Sequence, residues 1–203
     1  MMAFSRVAYV CKCPTQVPAE VQPEATGPLL VRTGGESDID RLPEELLSCG
    51  RRERLRARLA DGELFVVGDL EGRLVSSTWL RPGGVFSLHH LPGKTFRLGD
   101  GVGYGHDAWT DPALRGQGLR RSVFAAELRI LARLGLAWEV SYFVDHQLEG
   151  GRRTLAKIGV PLTALWEIRV QSGGTLGLLA LEGDDDAVTP CFEHAREEKV
   201  FPC

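Results

Sequence analysis

Apolar residues recur along this chain with two periods, and the switches between them divide it into elements. Alternation with period two marks a strand over residues 5–13, with Val7, Tyr9, Cys11 and Cys13 on one face. It marks two more at 136–144, with Trp138, Val140, Tyr142 and Val144 together, and at 162–171, with Ala164, Trp166, Ile168 and Val170 in one register. Shorter β-prone runs lie at 29–32, 64–67, 74–79, 102–110 and 175–181. Asp69-Leu-Glu-Gly72 predicts a hairpin between two of them, and Ser172-Gly-Gly174 predicts another before the last. Helical spacing takes over at Ile39, Leu42, Leu46 and Leu47, and again at Leu55 and Leu59 within 51–60. The strongest helix runs from Leu119 through Val123, Ala126, Ile130 and Leu134, and Phe124, Leu128 and Leu131 widen its stripe. A stripe that wide predicts a helix buried against a sheet. One more helix is expected over 149–158, ended by Gly159. The stretch 85–101 reads as irregular and contains His89-His90, whose adjacency would send the two rings to opposite faces of a strand, favouring a structural role.

These elements predict an α/β (α+β) fold: a mixed, mostly antiparallel central sheet with helices on both faces. The expected organisation is an N-terminal strand and Pro-rich connector over 1–28, a folded domain over 29–182, and an acidic tail over 183–203. At 203 residues and 43% hydrophobic, the chain can bury a sizeable core. A net charge of −3 argues against nucleic acid as a partner, whose binders are normally basic. The first residues lack the apolar core of a secretory signal. No apolar run approaches the roughly 18 residues of a membrane span. Five cysteines without repeating spacing read as mostly free thiols, so a cytoplasmic location with no membrane partner is expected. Cys11-Lys-Cys13 has no second ligand pair, and a metal site needs three or four convergent ligands, so none is assigned. Arg51, Arg52, Arg54, Arg56 and Arg58 read as a solvated helix face.

The chemistry-bearing stretch is Asp111-Pro-Ala-Leu-Arg-Gly-Gln-Gly-Leu-Arg-Arg-Ser-Val-Phe124, between the 102–110 strand and the long helix. Gly116 and Gly118 allow a tight turn and close approach of backbone to a ligand. The helix that follows opens with amides that have no intrahelical acceptor, which together with its dipole suit a phosphate. Arg115, Arg120 and Arg121 add positive charge. An ordinary helix start with two turn glycines would read the same way.

Residues 107–119, Asp-Ala-Trp-Thr-Asp-Pro-Ala-Leu-Arg-Gly-Gln-Gly-Leu, resemble the fourth strand and Arg/Gln-x-x-Gly-x-Gly/Ala loop of the GNAT superfamily of acyl-CoA-dependent N-acetyltransferases. Val144 to Val160, which contains Leu155-Ala-Lys-Ile-Gly159, is similar to that family's fifth strand and following helix. The resemblance spans about 29–182 and implies acetyl-CoA, or another acyl-CoA, as co-substrate without a metal. It implies that the amides of Arg115, Gly116, Gln117, Gly118, Leu119 and Arg120 hold the coenzyme pyrophosphate. Ala108, Trp109 and Thr110 would face the pantetheine arm, with an amide near Trp109 polarising the acyl carbonyl. His106 and Asp107 are the base candidates, expected on opposite faces of their strand; Glu139, Asp145, His146 and Glu149 stand behind them.

Three features depart from the family pattern, the first being that the Asn often found after the fifth strand is absent, with Leu148 or Glu149 nearby. Arg120 replaces the loop's final small residue, and Leu155 stands where many members carry a proton-donating Tyr. The implied reaction is direct attack of a small-molecule or peptidyl amine on the thioester. A noncatalytic acyl-CoA-binding module and a structural or dimerising domain are the alternatives, and the chain is expected to be a monomer or homodimer.

Overall fold

The computed structural model describes residues 7–18, 29–87, 95–170, 176–182 and 192–193. Among them, eight strands form one sheet in the order β10-β9-β1-β8-β7-β4-β3-β2. In chain order these are β1 (Val7–Pro14), β2 (Leu29–Gly34), β3 (Leu64–Leu70), β4 (Arg73–Arg81), β7 (Val102–Thr110), β8 (Trp138–Val144), β9 (Ala164–Val170) and β10 (Leu176–Glu182). Only the β7–β8 pair is parallel; every other neighbour is antiparallel. Segments β5 (Val85–Ser87), β6 (Thr95–Leu98) and β11 (Phe192–Glu193) form a small second sheet. The stretch expected to be irregular therefore contains paired strands, while His89 and His90 lie outside the described residues.

Strand β1 does not precede the domain. It lies inside the sheet, pairing with β8 on one side and β9 on the other. The boundary expected at residue 29 is corrected accordingly: the period-two pattern of 5–13 identifies a strand, and its partners lie more than a hundred residues downstream.

Helices cover both faces. Short α1 (Glu36–Ile39) and α2 (Glu44–Leu47) with α3 (Arg51–Ala60) pack Ile39, Leu42, Leu47 and Leu55 onto Phe65, Val67 and Trp79. The opposite face carries α4 (Leu119–Arg133) and α5 (Asp145–Lys157). The predicted stripe of α4 is buried there, with Val123 and Leu131 against Val66 and Leu80, and Phe124 and Leu128 against Leu155 and Ile158. Each such fully buried aliphatic side chain contributes roughly 1.5–3 kcal/mol. Helix α5 starts four residues earlier than its periodicity predicts, directly at the end of β8. Gly151 faces Phe143 so closely that a Cβ would sit 2.7 Å from the ring, which draws α5 down onto β8.

Candidate active site

Strands β7 and β8 stay paired only from Val102–Trp138 to Gly105–Ser141. Beyond Gly105, β7 bends away. Its register with β4 shifts between Ser77 and Trp79, and Asp107 adopts a φ of 48°. An extra residue on one strand bends it and breaks the ladder locally, and Asp tolerates the left-handed region better than most side chains. The two strands thus part as a wedge, leaving the β8-facing edge of 106–110 without a strand partner among the described residues.

The wedge opens on the α4/α5 face into a cleft of about 1120 Å³. Ala108, Trp109 and Thr110 form one wall, and Ser141 and Phe143 the other. Arg115 to Arg120 close one end, so the structure brings together the whole residue set expected to hold a coenzyme. Asp111 begins this end: its carboxylate accepts from the Ala113 amide at 2.9 Å and pairs with Arg73, fixing a 3-10 turn over Pro112–Leu114. Gly116 and Gly118 then take φ of 84° and 80°, which other residues reach only with strain. Gly118 is the N-cap of α4 and offers no side-chain oxygen to its first-turn amides, and no acidic residue stands in that turn. A helix N-terminus without a side-chain cap suits an anionic ligand. Across the cleft, α5 presents Gly150, beside which an added Cβ would meet nothing within 4 Å. Backbone donors, a helix N-terminus and an open groove between two helices fit an elongated diphosphate ligand.

Arg120 neither crowds the turn nor points at a phosphate. Its guanidinium folds inward to pair with the buried Glu127 and lies over the Phe124 ring, 5.2 Å from its centroid. Leu155 is buried, 4% exposed, and packs with Phe124, Cys13 and Ile158 at the cleft floor.

His106 and Asp107 are not in this cleft. The expectation that they face opposite sides is corrected by the bulge, which turns both towards α3. Asp107 pairs with Arg58 at 2.7 Å and Arg51 at 3.4 Å. His106 Nε2 lies 2.9 Å from Oε2 of Glu63, and its ring stacks on Tyr104 with centroids 4.9 Å apart. Arg81 Nε donates to Oε1 of Glu63 at 3.0 Å. Burial alone would raise the Glu63 carboxyl, but the His106 and Arg81 hydrogen bonds and charges outweigh it and hold it below its ordinary value. Burial, then the nearby Asp107 charge, push the Tyr104 phenol up, so it stays neutral.

Sequence reasoning missed Glu63, Glu127 and Ser141. Glu139, a second-line candidate, is buried behind Ser141 and accepts its hydroxyl at 2.6 Å. The side chains of Asp145 and His146 lie outside the described residues. Glu149 is exposed and 4.0 Å from Arg153. Four arginines of α3 make ion pairs, Arg51 and Arg58 with Asp107 and Arg52 and Arg56 with Asp40 at 3.3 and 3.1 Å, while Arg54 donates to the Cys49 carbonyl at 3.0 Å. Among the described residues, no group of three or more His, Cys, Asp or Glu could hold a metal, and no helix is long and apolar enough to cross a membrane.

No family model matches the sequence, and no curated protein matches it either. Solved structures do. A protein from Novosphingobium aromaticivorans assigned to the GNAT acetyltransferases superposes with a TM-score of 0.50 at 15% identity, covering 83% of this chain and 66% of that one. An acetyltransferase from Trypanosoma brucei matches at 20% identity and TM-score 0.44, over 62% of this chain and 90% of its own. Ribosomal-protein-alanine N-acetyltransferase from Brucella melitensis matches at 14% and 0.46, over 64% and 83%. The chain has the GNAT fold.

Proposed function

We propose that this protein transfers an acyl group, most simply acetyl, from acyl-CoA to a primary amine of a small molecule or peptide, by direct attack in a ternary complex. The observation that carries the reading is the meeting, in one cleft, of an interrupted β7–β8 ladder and the uncapped N-terminus of α4. The amides of Gly116 to Arg120 hold the diphosphate. The unpaired edge of Ala108 to Thr110 takes the pantetheine arm as an added strand would be taken. An amide of that edge polarises the acyl carbonyl, and a donor aimed at the developing oxyanion is worth about 3 kcal/mol.

The acceptor enters from the α3 face, where His106 and Asp107 stand. Asp107 is committed to Arg58 and Arg51, whose two guanidiniums outweigh its charge, so it braces the β7 bulge against α3. His106 is the better base: with its Nε2 directed at Glu63, the imidazole is oriented to take the ammonium proton directly or through a water. The amine nitrogen then bonds to the acyl carbon as the carbon–sulfur bond breaks.

The buried, hydroxyl-free Leu155 favours a second reading, a noncatalytic acyl-CoA-binding module. Two measurements separate the possibilities. Acetyl-CoA should raise the Tm, as a ligand of the native state must, and a panel of primary amines should elicit amine-dependent release of free CoA thiol. Stabilisation without thiol release leaves the binding module; neither response over a range of acyl donors removes the coenzyme reading.

A further inference from the structure

Two buried carboxyls at the closed end of the wedge have no part in that reading. Glu127 on α4 and Glu139 on β8 are both fully buried, and they converge over Gly105 of β7. A Cβ at Gly105 would overlap Oε1 of Glu139 and lie 3.4 Å from Oε2 of Glu127, so glycine is what makes room for them. Glu127 has a cation, Arg120, and a hydrogen bond from Thr78. Glu139 has the Ser141 hydroxyl at 2.6 Å, and its Oε2 finds no hydrogen-bond partner among the described residues. The other titratable groups facing it are Cys13 and, beyond it, Cys11, both on β1 and neither a cation. Two carboxylates sharing one guanidinium in a dry interior cannot both stay ionised. Burial, then the charge of Glu127, push the Glu139 carboxyl well above its usual range, so Glu139 carries a proton.

Ser141 connects that proton to the cleft. It is the last β8 residue paired with β7, and it lines the cleft together with Thr110. The sulfur departs with the electron pair of the carbon–sulfur bond and takes up a proton, and Ser141 lines the cleft in which the proposed thioester would lie. Leu155, on the helix across the cleft, has none to give.

We propose that Ser141 is the catalytic proton donor to the departing sulfur and that Glu139 resupplies it. The Ser141 hydroxyl, which donates to Glu139 Oε1 at rest, turns to the cleft; its proton passes to sulfur as the proton of the Glu139 carboxylic acid passes across the same 2.6 Å contact to the Ser141 oxygen. This leaves a free thiol and a Glu139 carboxylate, which regains a proton from solvent through the open cleft after the thiol leaves. Burial raises the Glu127 carboxyl as well and the Arg120 ion pair opposes that rise; negative charge on Glu127 makes the Glu139 carboxylate costly and so favours return of the proton between turnovers. The inference rests on the acyltransferase reading, but its test needs no acceptor.

Difference infrared spectra of the full chain, taken at neutral pH with CoA and with desulfo-CoA, read the carboxylic-acid C=O band directly. The wild type should show a band that Glu139→Gln removes. CoA should shift that band, desulfo-CoA should not, and Ser141→Ala should abolish the shift while keeping the band. No band, or a band that CoA leaves in place or that both ligands move alike, overturns the donor assignment with the coenzyme reading intact. Failure of CoA to bind by calorimetry overturns the coenzyme reading itself. Should Glu139→Gln fail to fold, Ser141→Ala carries the test alone, through the band and its response to the two ligands.

Discussion

The two faces of the sheet at the wedge are built by different means. On the α4/α5 face the recognition surface is mostly backbone: Gly116 and Gly118 shape a turn, the first amides of α4 point outward, and Gly150 leaves a groove. Arg120 turns inward there and pairs with Glu127. On the α1–α3 face, side chains do the work. Arg51 and Arg58 clamp Asp107, Arg81 and His106 share Glu63, and Arg32 with Arg41 hold Asp38 and Asp69. A backbone surface suits a ligand common to many relatives of a fold, since side-chain changes scarcely alter it. A side-chain lattice of fixed charges suits a partner particular to one protein. On the proposed function, the face that would hold the coenzyme is built generically, and specificity would reside on the α1–α3 face.

The largest expected effect breaks the backbone-built face alone. Gly150→Phe places a ring in the groove without touching neighbours, since even a Cβ there has open space. CoA affinity, measured by calorimetry, should fall at least about 100-fold, equivalent to about 2.7 kcal/mol, with the Tm of the free protein nearly unchanged. Gly151→Ala is the control with the opposite signature. Its Cβ meets the Phe143 ring at 2.7 Å, so it should lower stability by about 1–3 kcal/mol through overpacking. Equal behaviour of the two variants would show that α5 does not line a ligand groove.

On the acceptor face the expected effect is smaller and confined to turnover. His106→Gln should lower kcat/KM for the amine about 100-fold and leave the Kd for acetyl-CoA as it was, since His106 lies outside the coenzyme cleft. The deficit should narrow as pH approaches the pKa of the amine, because an already neutral amine needs no base. A deficit constant across pH would assign His106 to positioning Tyr104 and Glu63 instead of to proton transfer.

How much of this was legible in the sequence follows the same division. The cleft residues from Ala108 to Arg120 could be read because strand, loop and helix follow one another without a break, and local spacing predicts local geometry. The strand expected at 102–110 and the helix from Leu119 were found at those places. What escaped depends on pairing across the chain. The pattern of 5–13 identifies a strand but cannot say that it lies between β8 and β9. Simple alternation put His106 and Asp107 on opposite faces, and a bulge, which has no strong sequence signal beyond an Asp able to take positive φ, put them on one. Glu127 looked like an ordinary polar position in a helix. Its meaning comes from Glu139 and Gly105, residues of two other elements.

The buried carboxyl pair also makes the subtlest prediction, in stability instead of turnover. Because the Glu139 carboxyl is raised in the folded chain, the native state holds a proton that the unfolded state loses once pH exceeds about 4.3, the ordinary Glu value. Between that pH and its raised folded value, folding takes up this proton, and this group's contribution to stability falls as pH rises. Glu139→Gln removes the titration, keeps the volume and turns an amide N–H towards Glu127. The variant should therefore melt near the wild type at pH 4 and progressively above it towards pH 8. Depressed carboxyls such as Asp38, held low by the Arg32 hydrogen bonds, titrate in the acid range in both proteins and cancel in the difference. A Tm difference that is flat with pH would mean that Glu139 is ionised in the native state, leaving Ser141 no proton behind it and the cleft no donor on its β8 wall.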